Sequence, residues 1–200
     1  MAETLVRQAG VEELPSRAGW RTAVAVVAAT GFVALCAHIA IPLGFTPVPL
    51  SMAPFAVLLL GLLFSPRAGF AALALYLAEG AAGLPVFSPH APGGLVQLLG
   101  PTGGYLFAYP LAAALAGSVY RSAHRGLIAA LLGASAASIL ILSMGAAWLA
   151  TLTHAHLSIV FAQAVIPFLP GDLLKVIAAA ACIRIFDSFR PTAQRPAQAR

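Results

Sequence analysis

The sequence predicts an all-α integral membrane protein with six transmembrane helices, and three observations carry that expectation. Charge is scarce: of 200 residues, 8% are Asp, Glu, Lys or Arg and 60% are hydrophobic, whereas a soluble domain carries roughly 25% charged residues. There is too little charge to cover a globule with a water-facing surface. Apolar residues fall in long runs, and at roughly 20 residues per span the length suits about six passes in one domain. Arginine placement is one-sided. Lys175 is the sole lysine among 11 basic residues. The arginines precede the first run (Arg7, Arg17, Arg21), join the second to the third (Arg67), join the fourth to the fifth (Arg121, Arg125), or follow the sixth (Arg184, Arg190, Arg195, Arg200). The other three loops carry none, so the positive-inside rule puts both termini in the cytoplasm. A five- or seven-span count would scatter arginines to both sides.

In chain order, residues 1–19 read as a polar cytoplasmic tail. Glu3, Glu12 and Glu13 accompany Arg7 and Arg17 there, which does not suit the basic n-region of a signal peptide. Residues 20–187 form the membrane domain. Trp20–Ala40 is the first span, with Trp20 suited to the interface belt. Ala25 and Ala29, four residues apart, would let another helix backbone approach closely, although an Ala-rich span yields such pairs by chance. Residues 41–50 (IPLGFTPVPL) hold three prolines and cannot form a continuous helix, so they read as an external loop or a re-entrant segment. Ser51–Phe64 is the second span, Ser65-Pro66-Arg67 a tight turn and Ala68–Leu84 the third span.

Residues 85–102 (PVFSPHAPGGLVQLLGPT) are rich in Gly and Pro, lack Lys and Arg, yet are apolar through Leu95–Leu99. A solvated linker would be polar, and irregular backbone facing lipid is forbidden by its unpaired polar groups. The segment therefore reads as a folded external loop capping or lining a cavity. Gly103–Tyr120 and Gly126–Leu152 are the fourth and fifth spans, joined by the basic turn RSAHR. Thr153–Gln163 suits a short interfacial helix, Ile166–Gly171 is Pro-broken, and Asp172–Phe186 is the sixth span. Residues 188–200 read as a cytoplasmic tail without regular structure.

Several chemistries are excluded. The net charge of +5 comes from residues at the ends of apolar runs, not from a basic patch interleaved with aromatics, so nucleic acid is not an expected partner. No GxxxxGK[ST] loop is present, so the chain does not hydrolyse ATP itself. His154-Ala155-His156 lacks an acidic partner for a metal site, and Ser88 with His90 lacks a GxSxG context. Cys36 and Cys182 read as buried free thiols. No catalytic residue, cofactor or metal is expected.

What remains suits a small-molecule site, an apolar pocket with a few directed polar groups. The stretch PFLPGDLLKVIAAAA (167–181) sets Asp172 and Lys175 three residues apart, on one helix face. Ionisable residues at membrane depth mark function by default. Asp172 accepts hydrogen bonds and Lys175 donates them, which suits a neutral group carrying both N–H and C=O. The alternative is a helix-start aspartate beside a lysine that snorkels to the outer surface. Gln97 has no lipid-facing role within LVQLL, so a pocket or loop-fixing hydrogen bond is expected. Tyr105 is a belt residue or a ring that stacks on ligand. Gly93 and Gly94 free the backbone to approach a ligand, and Thr102 adds a hydroxyl. Glu79 caps the loop after the third span, pairs with a histidine or touches substrate.

These residues resemble a known family. GGLVQLLGPTGGYLFAYPLAA (93–113) and PFLPGDLLKVIAAA (167–180) are similar to the two signatures of the BioY family, the biotin-specific S components of energy-coupling-factor (ECF) vitamin transporters. PLGFTPVPLS (42–51) and GLPVF (83–87) match as well, and the resemblance covers roughly residues 20–187. It implies six helices in a bacterial plasma membrane and one biotin bound near the external face. Asp172 and Lys175 would hold the ureido head, with Tyr105, Gln97, Thr102, Gly93 and Gly94 around the rest of the ligand and His90 as an outlying candidate. It also implies a small-residue patch on the first span, Ala25 and Ala29 here, docking a transmembrane coupling subunit that works with two ATPases. An S component for another vitamin, or an intramembrane enzyme using Asp172, Lys175 and Glu79, is the alternative.

Overall fold

The computed structural model describes residues 17–189. The remainder of the two expected tails lies outside the described residues. Eight α-helices and one small hairpin make up the fold among these residues. Helix α1 (Arg17–His38) leads into a two-stranded antiparallel hairpin, β1 (Ala40–Ile41) and β2 (Leu50–Ser51), with Ala40 opposite Ser51 and Ile41 opposite Leu50. Then come α2 (Ala53–Leu63), α3 (Pro66–Ala81), the short α4 (Gly94–Leu99), α5 (Gly103–Ser122), α6 (Leu127–Thr153) and α7 (Leu157–Ala164). A 3₁₀ turn (Ile166–Phe168) runs into α8 (Leu169–Ser188).

Local chemistry explains most boundaries. Pro66 occupies the first turn of α3, and Ser65 caps it by accepting a hydrogen bond from the Ala68 N–H at 3.3 Å, since the missing proline N–H is unneeded there. The same logic corrects the expectation for the last helix. Pro170 stands in the first turn of α8 and does not interrupt it, so the helix starts at Leu169, not Asp172.

Helix α5 is the hub, packing on α2, α3, α4 and α6, while α8 packs on α2 and α6, and α1 on α2 and α3. Its buried stripe is small: Ala108, Ala112, Ala113 and Ala116 are all fully buried, with Ala113 against Gly61 of α2 and Gly69 of α3, and the Ala116 carbonyl against Gly133 of α6. Small side chains let the backbones approach closely, which drives helix association where lipid removes the hydrophobic force. The outward faces are apolar instead of charged: Val27, Leu35, Ile128, Leu132, Ile139 and Leu174 are all exposed. That inverts the pattern of a soluble protein and suits lipid contact.

The stretches Leu127–Thr153 (27 residues) and Ser158–Ser188 (31 residues) are long and apolar enough to cross a membrane. The expected second span is shorter than a crossing. Helix α2 has 11 residues, which rise about 16 Å, roughly half the hydrocarbon thickness. The extended chain of the hairpin leads into it, a feature unforeseen in the sequence because two-residue strands leave no periodicity to read.

The two ends of the bundle differ. At one, Arg121 of α5 donates through Nη2 to the Leu63 carbonyl at the end of α2 (3.3 Å) and through Nη1 to its own Gly117 carbonyl (3.0 Å). Beside it, the Tyr120 hydroxyl lies 2.6 Å from Asp187 Oδ2 on α8. The other end carries the hairpin, the 82–102 loop with α4, and α7.

A candidate small-molecule cavity

The loop-bearing end encloses about 600 Å³ of empty space, counted to its open mouth. Asp172 and Lys175 line it, joined by Gln97, Thr102, Tyr105 and Tyr109, with Val48, Leu142 and Phe168 among the apolar walls. One rigid bundle thus collects five of the expected site residues into one cavity.

Asp172 and Lys175 lie one turn apart on α8, and both are 6% exposed. Lys175 Nζ donates to Asp172 Oδ1 at 3.0 Å. Ser138 Oγ, from α6, donates to the other oxygen, Oδ2, at 2.8 Å. Lys175 therefore faces inward and does not snorkel outward. The pair is buried in the cavity wall, with Asp172 in the first turn of α8. Its hydrogen-bonding capacity is not used up. A carboxylate accepts at about four sites and an ammonium donates three protons, so each retains capacity for a ligand, acceptor beside donor.

Tyr105 is 7% exposed, which removes the interface-belt reading. Its hydroxyl donates to the Ala164 carbonyl at 2.7 Å, closing the C-terminal turn of α7, and its ring tilts against Phe168 with centroids 6.2 Å apart. The ring lies directly on Gly145 of α6, where any Cβ would collide with it. Gln97 is 3% exposed, and its backbone carbonyl receives the Thr102 hydroxyl at 3.5 Å. Trp148 Nε1 donates to the Gly100 carbonyl at 2.9 Å and fixes the turn between α4 and α5. The hairpin loop is tied down by Thr46 Oγ1, which donates to the Gln163 carbonyl at 2.9 Å.

Other expected residues stand elsewhere. Gly93 and Gly94 have φ of 74° and 60°, a left-handed backbone that shapes the turn into α4, and they do not line the cavity. His90 is exposed, and its Nε2–H donates to the Ala40 carbonyl at 3.1 Å, joining the 82–102 loop to β1. Glu79 meets neither a histidine nor the cavity: its Oε1 accepts from Thr30 Oγ1 of α1 at 3.1 Å. The Ala25–Ala29 patch needs correction. Ala25 is exposed, but Ala29 is 4% exposed inside the bundle, so the two do not share an outer face. In an alanine-rich helix the sequence does not reveal which side turns inward.

Sequence reasoning missed Ser138 and Tyr109, and it weighed Ser88, which also lines the cavity, only as a nucleophile. Ser138 is one of three serines in α6, with Ser135 and Ser143, and nothing local distinguishes the one that meets Asp172. Among the described residues no group of three or more His, Cys, Asp or Glu could hold a metal ion.

Apolar outer faces, a buried ion pair with spare capacity and a cavity roofed by loops define a class: a helical membrane protein built around a small-molecule site. Comparison with known proteins narrows it. The model of the BioY family matches residues 8–192, and the chain belongs to that family. It is 36% identical over 151 residues to the probable biotin transporter BioY of Pyrococcus horikoshii, spanning 74% of this chain and 86% of that one. It is 34% identical over 180 residues to the biotin transporter BioY of Rhodobacter capsulatus, spanning 84% of this chain and 91% of that one. The crystal structure of the S-component for biotin from an ECF-type ABC transporter superposes with a TM-score of 0.77 at 25% identity, covering 91% of this chain and 98% of that one.

Proposed function

We propose that this chain is the biotin-binding membrane component of a vitamin uptake system, a carrier and not an enzyme. The observation that carries the reading is the buried Asp172–Lys175 pair, braced by Ser138 and with hydrogen-bonding capacity left over. A cyclic urea offers N–H donors beside a C=O acceptor, and the pair offers an acceptor beside a donor. The ureido head of biotin takes Asp172 Oδ and Lys175 Nζ, and its apolar ring and tail lie along Tyr105, Tyr109 and Phe168. Gln97 and Thr102 stand at the roof. Gly93 and Gly94 act indirectly, by shaping the turn that sets Gln97.

Six passes place both termini in the cytoplasm of a bacterial cell, with the cavity opening outward. The arginine-bearing end, opposite the cavity, supports that orientation. Energy comes from partner chains, a transmembrane coupling subunit and two ATPases, since this sequence carries no phosphate loop. Ala25 remains available on the outer face of α1 for such a subunit, while Ala29 serves packing.

Calorimetric titration of the purified chain in lipid nanodiscs with biotin and with thiamine tests the reading. Saturable binding of biotin alone is expected. Thiamine binding as well as biotin, or no biotin binding, overturns it.

A further inference from the structure

We propose that the cavity carries a second polar pole, Ser88 Oγ and the Gln97 side-chain amide, which reads the far end of biotin through neutral hydrogen bonds and so accepts the primary amide as well as the free carboxylate. The inference rests on the biotin reading and deepens it.

Ser88 Oγ and Gln97 Oε1 are buried without a hydrogen-bond partner among the described residues, and both residues line the cavity. Leaving such a group unsatisfied is costly, and native proteins rarely tolerate it without a reason. Helix α4 makes the arrangement plain. It turns Leu95, Val96 and Leu99 outward at 60%, 65% and 64% exposure and keeps Gln97, its one polar side chain, inside at 3%. An amphipathic helix in water would do the reverse.

Gln97 and the ion pair stand on helices with different neighbours. Helix α4 packs on α3 and α5, whereas α8 packs on α2 and α6. Asp172 and Lys175 are the charged residues of the lining, and they are bonded to each other. Lys175 is the one Lys or Arg side chain of the lining, and it is paired with Asp172. A serine hydroxyl donates or accepts, and a glutamine amide does both after a half-turn of its terminal group. Together they donate two hydrogen bonds to a carboxylate, or exchange donor and acceptor with a carboxamide. With no second cation in the lining, charge on the tail gains no specific partner.

Equilibrium binding of the full chain to biotin, biotin primary amide and an analogue whose tail ends in a methyl group tests the proposal. Biotin and its amide should bind within about threefold of each other, and the alkyl analogue about tenfold to a hundredfold more weakly, as expected for two neutral hydrogen bonds. Gln97→Leu and Ser88→Ala should each shrink the gap between biotin and the alkyl analogue. A gap that survives both variants overturns the proposal, as does an amide that binds as weakly as the alkyl analogue. Asp172→Asn is the separate arm for the head group: it should weaken all three ligands by a common factor and leave the gap intact. If the wild-type chain binds none of the three, the biotin reading itself fails and takes the second pole with it.

Discussion

The two ends of the bundle spend their polar groups differently. At the arginine-bearing end Arg121 donates to the Gly117 and Leu63 carbonyls among its contacts, and Tyr120 ties α5 to Asp187 of α8. The bond to Leu63 satisfies a carbonyl at the end of α2, an ordinary need of helix termini, and the Tyr120–Asp187 contact ties two helices together. At the cavity end, Lys175 and Asp172 bind each other and Ser138 but keep capacity in reserve. The lesson is that burial alone does not mark a site. Polar groups with hydrogen-bonding capacity left over, aimed at a common space, do.

Mutations can break or sharpen that contrast. The largest effect is expected from Lys175→Ala, which leaves the Asp172 carboxylate buried without its cation and should destabilise the chain by about 3–5 kcal/mol, with biotin binding lost. Denaturant melts with and without biotin read both effects. A variant as stable and as tight-binding as wild type would make the cavity end no different from the arginine end. Ser138→Ala removes one donor from the same carboxylate and should weaken biotin binding or stability by about 1.5–3 kcal/mol, the worth of a hydrogen bond to a charged group. Titration of this variant beside Ser135→Ala checks that the effect belongs to the serine facing Asp172.

Gly145→Ala drives a methyl group into the Tyr105 ring. The expected cost is about 1–3 kcal/mol of overpacking, with a looser cavity visible as a faster biotin off-rate. The smallest effect is expected at the far end. Tyr120→Phe loses the contact with Asp187 and should lower stability by about 1 kcal/mol while biotin affinity stays unchanged. Thermal melts and titrations on the same sample separate the two readouts, and a drop in affinity would show that the ends are coupled.

Much of this was legible in the sequence, for physical reasons. Scarce charge announced lipid, and proline with serine punctuated the start of α3. The Asp172–Lys175 spacing alone puts both groups on one helix face. Gln97 stood out because an amide inside LVQLL has no use toward lipid. Other features left no signal. Ser138 and Ser88 matter because of what lies opposite them, and one chain's residue order does not report opposition. Ala29 reads as outward because α1 is apolar on every side and has no polar face to orient it. The short α2 escaped because an apolar run does not reveal how much of it is helical and how much extended.

Trp148 has a further consequence. Its indole donates to the Gly100 carbonyl and lies against Gly104, at the joint between the roof and α5. The chain has two tryptophans, and the other, Trp20, is 54% exposed on α1. Nature has thus fitted the roof with its own fluorophore. In a Trp20→Phe background, emission colour and quenching would report on the surroundings of that joint, with and without biotin, and no dye is needed.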